Sequence, residues 1–293
     1  MQSYKLNTEN QTKLDLLVFS YPKEKAKGIV QVIHGALEYK ERYVGLAQFL
    51  NEQGYVVVLS DNRGHGESTS AQDPFGVMRD VDLLLADQKR VLDFIKAKYP
   101  GLPVTIFGHS YGAILGRLFL QKHDHEIAKL IITGTPYYVG IVPLGIKITQ
   151  LAQLYKKEDE YSWMVQKICG ASITGYDWLS YNQENIEKVK NDPKMMKQYP
   201  VISMETMLRA MYRLKDYRSY QCQNPMLPIY NLVGCDDQQI TGGQKGIADS
   251  LATLQKVGYQ NIRSEEMSGM KHEILFEDRK EDVYAKILAF LEQ

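Results

Sequence analysis

The chain has 293 residues, enough for one large α/β domain with an insertion, and its 35 Lys and Arg balance 35 Asp and Glu. That balance leaves no electrostatic footprint for nucleic acid and no polybasic membrane arm, and no apolar run approaches the length of a membrane span. The polar opening Met1–Asn7 lacks an apolar signal core, and Cys169, Cys222 and Cys235 are too widely spaced for a disulfide framework or a zinc site, so a soluble, reduced, cytoplasmic protein is expected.

Leu14–Phe19 reads as the opening strand, closed by Tyr21-Pro22. Gly28–Ile33 is a buried strand that runs into His34-Gly35-Ala36-Leu37-Glu38. Tyr43, Leu46, Ala47 and Leu50 share one stripe of a helix ending at Gly54. Tyr55–Ser60 is the next strand, followed by Asp61-Asn62-Arg63-Gly64-His65-Gly66-Glu67-Ser68. From Gly76 to Tyr99 the positions Val77, Val81, Leu84, Gln88, Val91, Leu92 and Ile95 fit a helix with one polar miss, Gln88, stopped by Pro100-Gly101. Val104–Phe107 is a strand that breaks at Gly108, and a helical apolar pattern through Ile114, Leu115, Leu118 and Phe119 follows Ser110. Leu130–Thr133 is the strand after that. Strands alternating with helices predict a mostly parallel sheet with helices on both faces, an α/β fold with its chemistry at the carboxyl ends of strands. His34, Asp61 and Ser110 each lie just past a strand's end, so they are expected to share one edge.

The rhythm breaks at Pro136. From there to Cys222 the pattern predicts helices near Leu144–Tyr155, Tyr161–Ile168, Asn185–Lys190 and Ser203–Leu214, with no core strand. Both tryptophans, ten of the 20 tyrosines and six of the 11 methionines fall in this stretch but none of the eight phenylalanines, a shift that marks residues 136–222 as an inserted helical cap on a catalytic domain of residues 1–135 and 223–293. The sheet resumes at Pro228–Val233, and a helix near Gly246–Val257, a strand near Ile262–Met267 and a helix from Glu281 to Leu291 complete the chain.

Strand, one-residue hinge and helix make Gly108-His109-Ser110-Tyr111-Gly112 a nucleophile elbow, in which the flanking positions must be small. A serine hydroxyl needs a base, and in this architecture an acid and then a histidine follow it along the chain. Gly234-Cys235-Asp236-Asp237 offers two acids at a strand's carboxyl end, and His272 is the only histidine beyond residue 125. An oxyanion hole needs two donors; the N–H of Tyr111 and, from the first loop, the N–H of Ala36 are the candidates. His34 is expected to shape that loop and His65 to be structural. His109 is expected to point away as a packed neighbour. His123 and His125 are expected to be solvated, so no metal is predicted.

Four motifs in order carry a resemblance: His34-Gly35-Ala36-Leu37-Glu38 with Arg42-Tyr43, Asp61-x-Arg63-Gly64-His65-Gly66-x-Ser68, Gly108-His109-Ser110-x-Gly112, and Lys271-His272-Glu273. Together they resemble the monoacylglycerol lipase and lysophospholipase branch of the α/β-hydrolase fold, to which serine aminopeptidases are close relatives. The resemblance covers the chain outside the cap. It implies a triad of Ser110, Asp237 and His272, the oxyanion pair Ala36 and Tyr111, and no cofactor. It selects Asp237 over Asp236 because members carry the acid three residues after the glycine. Two departures stand out: Tyr111-Gly112-Ala113 replaces the commoner Met-Gly-Gly, and Gln238-Gln239 follows the acid.

In the cap, Leu144, Ile148, Leu151 and Leu154 form an apolar stripe beside Val139, Ile141 and Val142. The stripe either packs on the catalytic domain or forms a lip that meets a membrane or micelle and admits an acyl chain. The expected function is cleavage of small-molecule carboxylic esters of acylglycerol or lysophospholipid type. Two rivals are an aminopeptidase using the same triad, which must anchor an α-amino group whereas the acids Glu158, Asp159 and Glu160 read as a solvated run, and a hydrolase-fold protein that binds without turnover.

Overall fold

The computed structural model describes residues 1–8, 11–169 and 175–293. Eight strands form one sheet in the order β1-β2-β4-β3-β5-β6-β7-β8: β1 (Gln2–Asn7), β2 (Lys13–Phe19), β3 (Gly28–Ile33), β4 (Tyr55–Ser60), β5 (Val104–His109), β6 (Lys129–Thr133), β7 (Ile229–Gly234) and β8 (Ile262–Met267). β1–β2 and β2–β4 pair antiparallel, and the remaining neighbours are parallel. Strands β3, β4, β5 and β7 are buried along their whole length, which is why they read as continuous Val/Ile-rich runs rather than alternating ones. Odd and even positions feed two apolar layers. Ile29 and Ile33 face α2 (Val81–Lys98) and α3 (Tyr111–His123), while Val30 and Val32 face α1 (Val44–Glu52) and α10 (Lys280–Leu291).

Register does the positioning. Ile33 lies opposite Gly108, His109 opposite Thr133, and Gly234 opposite Met267. The carboxyl ends of β3, β5, β6, β7 and β8 therefore finish along one edge.

Two details depart from the sequence reading. An edge strand, β1, precedes the expected first strand; only Tyr4 and Leu6 are half-buried in it, too weak an alternation to register. The helix expected from Gly76 begins at Val81, where the Asp80 carboxylate accepts from Asp82 N–H. Gly76 has φ +87° and Gly76 N–H donates to Gly64 C=O at 2.7 Å, so this stretch runs as an extended strap and Val77 is buried outside any helix. The polar miss, Gln88, is buried on the helix's inner stripe, where its carbonyl groups accept from Gln31 Nε2 at 3.0 Å.

Between β6 and β7 lie α4 (Val142–Gln153), α5 (Trp163–Cys169), α6 (Gln183–Asn191) and α7 (Val201–Arg213), and among the described residues no strand. α4 packs along α7, with α5 against both. α7 is fastened to the strap: Met78 N–H donates to Ser203 Oγ (2.7 Å), which donates to Gly76 C=O (2.7 Å), and Thr206 Oγ1 donates to Met78 C=O (2.9 Å). The apolar stripe of α4 divides. Ile148 packs inward on the core, whereas Leu144, Leu151 and, just past the helix, Leu154 are 52%, 61% and 72% exposed. After β7 come the short α8 (Gln238–Thr241) and α9 (Gly243–Val257).

Candidate active site

Ser110 sits between β5 and α3 with φ 53° and ψ −116°, a backbone region that costs a side-chain-bearing residue roughly 1–3 kcal/mol. Neighbouring chain imposes that geometry. Ser110 N–H donates to Thr133 C=O at 2.9 Å, and Ala113 N–H donates to Ser110 C=O at 2.9 Å. A Cβ at Gly112 would collide with the Ile33 carbonyl, and one at Gly108 with the Gly112 carbonyl. The elbow glycines are thus fixed by close backbone approach.

Past β7 the two acids part company. Asp237 is 2% exposed; its Oδ2 lies 2.8 Å from His272 Nδ1, and its Oδ1 accepts from Ile240 N–H, capping α8. Asp236 is exposed and its Oδ2 accepts from Tyr181 Oη at 3.1 Å. Since a carboxylate only accepts, His272 carries its proton on Nδ1 and presents Nε2 as the basic nitrogen. Beneath the ring lies Gly134, at φ +52°, where a Cβ would stand 2.7 Å from His272 Cε1 and 2.9 Å from His109 Cε1. Gly134 directly follows Thr133, whose carbonyl accepts from Ser110 N–H, so the serine backbone and the histidine ring both adjoin the end of β6.

The buried histidines are pushed in opposite directions. Burial drives the His34 and His109 imidazoles down to about 4 and about 3, so both are neutral near pH 7. Burial alone would also lower His272. The Asp237 carboxylate, through charge and hydrogen bond, together with the Glu273 and Glu38 charges, outweighs it and raises His272 above its ordinary value. Environments that push titratable groups apart in this way identify His272 as the histidine suited to take and return a proton.

His34 shapes the first loop as expected: its Nδ1 donates to Gly35 C=O (2.8 Å) and its Nε2 accepts from Asn62 N–H (2.9 Å). His109 is packed and bonded to Thr133 Oγ1 (3.0 Å), but it does not point away, since its ring centre lies 4.9 Å from that of His272. His123 bonds Glu126 and is partly exposed, and among the described residues no cluster of ligands suits a metal.

Several residues at the site carried no signal by themselves. Glu38 Oε1 accepts from Gly35 N–H (2.5 Å) and from Tyr43 Oη (2.6 Å), while its Oε2 receives Arg42 Nη1 at 2.5 Å. The same guanidinium grips Glu273 at 2.7 and 2.9 Å and lies 4.2 Å from the centre of the Phe276 ring. Arg42 therefore ties the Ala36 loop to the His272 loop, and despite burial holds the Glu273 carboxyl down to about 2. The i, i+4 spacing of Glu38 and Arg42 was readable as an ion pair, but its third partner, 231 residues away, was not. The Trp178 ring lies 5.1 Å from the His272 ring at a tilt of 40°, while Glu273 N–H donates to Leu179 C=O at 2.7 Å, so the stretch before α6 straps the histidine loop from outside.

A parallel sheet with a strained serine elbow after β5, and an acid and a histidine after β7 and β8, defines an α/β-hydrolase. The profile of the family described as serine aminopeptidase, S33, matches residues 24–279, and the chain belongs to that family. The phospholipase YtpA of Bacillus subtilis is 24% identical over 280 residues, covering 94% of this chain and 99% of that protein. Human monoglyceride lipase is 31% identical over 111 residues, 38% of this chain and 36% of that one. A solved thermostable carboxyl esterase from Bacillus coagulans, in complex with glycerol, superposes with a TM-score of 0.85 at 24% identity, over 99% of this chain and 97% of the other.

The charges around His272 make a pH prediction. A general base works in its neutral form, so kcat/KM should climb with a midpoint above the ordinary histidine value of about 6.5. Glu273→Gln removes one of the negative charges that raise His272, and the acid limb of the profile should move to lower pH. A midpoint that stays put or moves up would show that Glu273 does not reach the base electrostatically.

Proposed function

We propose that the chain hydrolyses esters of acylglycerol or lysophospholipid type by a Ser110–His272–Asp237 acyl-enzyme mechanism. It is a carboxylic ester hydrolase of the α/β-hydrolase fold. The observation that carries the mechanistic reading is the 2.8 Å Asp237–His272 hydrogen bond at the sheet edge where Ser110 is held strained. His272 Nε2 takes the Ser110 proton as Oγ attacks the ester carbonyl, and Asp237 steadies the imidazolium that forms. The N–H groups of Tyr111, first in α3, and Ala36 receive the developing oxyanion. His272 then protonates the leaving alcohol and activates the water that releases the acid.

The lipid-like substrate is supported by the surface of the insertion, read here as a cap. Ile141, Leu144, Leu151, Leu154, Trp163 and Met164 are all at least half exposed, an apolar patch of the kind that meets a membrane or micelle transiently. The names of the relatives, a phospholipase and a monoglyceride lipase, agree with this reading. Of the run Glu158, Asp159 and Glu160, Glu158 pairs with Arg79 and Glu160 with Lys156 at the exposed surface, in keeping with a solvated run rather than an anchor for an α-amino group. A reduced, cytoplasmic setting fits the free thiols of Cys222 and Cys235, and among the described residues no helix is long and apolar enough to cross a membrane.

A chain-length series tests this. kcat/KM on p-nitrophenyl esters should rise from acetyl to at least octanoyl, by at most roughly fourfold per methylene, the factor that about 0.8 kcal/mol per buried CH₂ allows. Leu144→Ser with Leu151→Ser should weaken co-sedimentation with lipid vesicles while acetyl ester hydrolysis stays near wild type. A profile that falls from acetyl onward overturns the lipid-ester reading.

A further inference from the structure

The loop that carries Ala36 is held from two sides. On one side Glu38 Oε1 accepts from Gly35 N–H at 2.5 Å. On the other stands Leu37, which has φ +64°, a left-handed conformation that residues with a Cβ rarely adopt. Both backbone groups of Leu37 are gripped by the helical insertion. Its N–H donates to Tyr199 Oη at 2.7 Å, and its C=O accepts from Met196 N–H at 2.9 Å.

Tyr199 is itself over-determined. Its side chain is buried, and Oη lies 2.6 Å from His65 Nε2. His65 Nδ1 lies 3.0 Å from the Arg63 carbonyl, which only accepts, so Nδ1 carries the proton and Nε2 receives the one from Tyr199. Burial keeps that ring neutral, down to about 3. The chain therefore runs one way: Leu37 N–H to Tyr199 Oη, Tyr199 O–H to His65 Nε2, His65 Nδ1–H to Arg63 C=O. The Tyr199 carbonyl, in turn, accepts from Gln166 Nε2 of α5 at 2.7 Å, which joins the phenol to the helices of the insertion. None of these contacts is needed to bind an ester or move its proton.

We propose that Tyr199 is a positioning residue for the second oxyanion donor: hydrogen-bonded between Leu37 N–H and His65, it holds the strained residue next to Ala36, so the anion site is complete only while the 196–199 segment is seated. This rests on the reading of Ser110 and Ala36 given under Proposed function. It makes the position of the insertion a determinant of kcat, separate from any part the insertion plays in binding the acyl chain.

The test is a double-mutant cycle of Tyr199→Phe and Leu37→Gly, with kcat and KM measured on one p-nitrophenyl ester and inhibition measured with an alkyl trifluoromethyl ketone, whose serine adduct carries the oxyanion. Tyr199→Phe should lower kcat by about ten- to a hundredfold, short of the 10²–10³ lost with a whole donor. KM should change by less than about threefold, and ketone affinity should fall by a factor similar to kcat. In the Leu37→Gly background the same change should cost at most about threefold, because glycine takes φ +64° without a clamp. Should Tyr199→Phe not fold, His65→Phe removes the acceptor that orients the phenol, and it should produce a smaller loss of the same kind. A kcat within about twofold of wild type, ketone affinity unchanged, or an equal loss in both backgrounds would reduce Tyr199 to a packing residue. Ser110→Ala in the same assay separates the two failures. Activity surviving there removes the Ser110 reading on which the proposal rests. Activity abolished there, with Tyr199→Phe like wild type, removes the positioning role alone.

Discussion

Ser110→Ala is expected to abolish ester hydrolysis, with a loss on the order of 10⁴ or more in kcat, since members of a triad act as a unit. The variant should melt close to wild type. The bonds that hold the elbow, Ser110 N–H to Thr133 C=O and Ala113 N–H to Ser110 C=O, are backbone bonds that an alanine keeps. His272→Ala should lose a similar factor in rate but differ in stability. It leaves the Asp237 carboxylate, 2% exposed, without its imidazole partner, and an unpaired buried charge is costly. Equal rate losses with a lower melting temperature only for His272→Ala is the signature of the proposed roles. A fluorophosphonate should label the wild type at Ser110 and leave Ser110→Ala unlabelled. More than about a tenth of wild-type rate in a folded Ser110→Ala variant would remove the serine from the chemistry.

Much of this architecture was legible because buried parallel strands announce themselves. β3, β4, β5 and β7 are runs with no exposed residue, and each ends at or just before a glycine or polar residue at the same edge. Local signals failed where a residue's partner lies far along the chain. Gln88 broke a helical stripe by composition alone, yet it sits on that stripe, bonded to Gln31 in the sheet. Strand alternation puts His109 on the face away from the site, but β5 ends there, and the centre of its ring lies 4.9 Å from that of His272. Gly134 gave no sequence signal because much of its demand comes from two imidazole rings brought over it from elsewhere in the chain, beside its own φ of +52°. Trp178 and Tyr199 were counted as part of an aromatic-rich insertion, and which aromatic touches which loop depends on how that insertion is docked. The α4 stripe could not be assigned to packing or to solvent from spacing, since its members divide between the two: Ile148 inward, Leu144 and Leu151 outward.

Asp237→Asn should be far more damaging than Asp236→Asn, although the two carboxylates are adjacent. The asparagine at 237 is nearly isosteric, and its carbonyl oxygen still caps α8 by accepting from Ile240 N–H, so the fold should persist. What changes is the atom facing His272. A carboxylate oxygen at 2.8 Å keeps the proton on Nδ1, whereas an amide NH₂ placed there donates and moves the proton to Nε2. The imidazole then faces Ser110 with a donor where it needs a lone pair. In the serine-protease triad the same replacement costs about 10⁴ in kcat, and a loss approaching that factor is expected here. The loss of the carboxylate's charge should also lower His272, since burial lowers it and that charge is the largest of the influences that raise it. At 236 the side chain is exposed and accepts from Tyr181 Oη; the asparagine keeps that acceptor, and kcat should stay within about twofold of wild type. The decisive measurement is the pair of kcat/KM values at a pH where His272 is neutral in both variants. Equal or reversed losses would mean that the hydrogen bond between Asp237 and His272 does not orient the base.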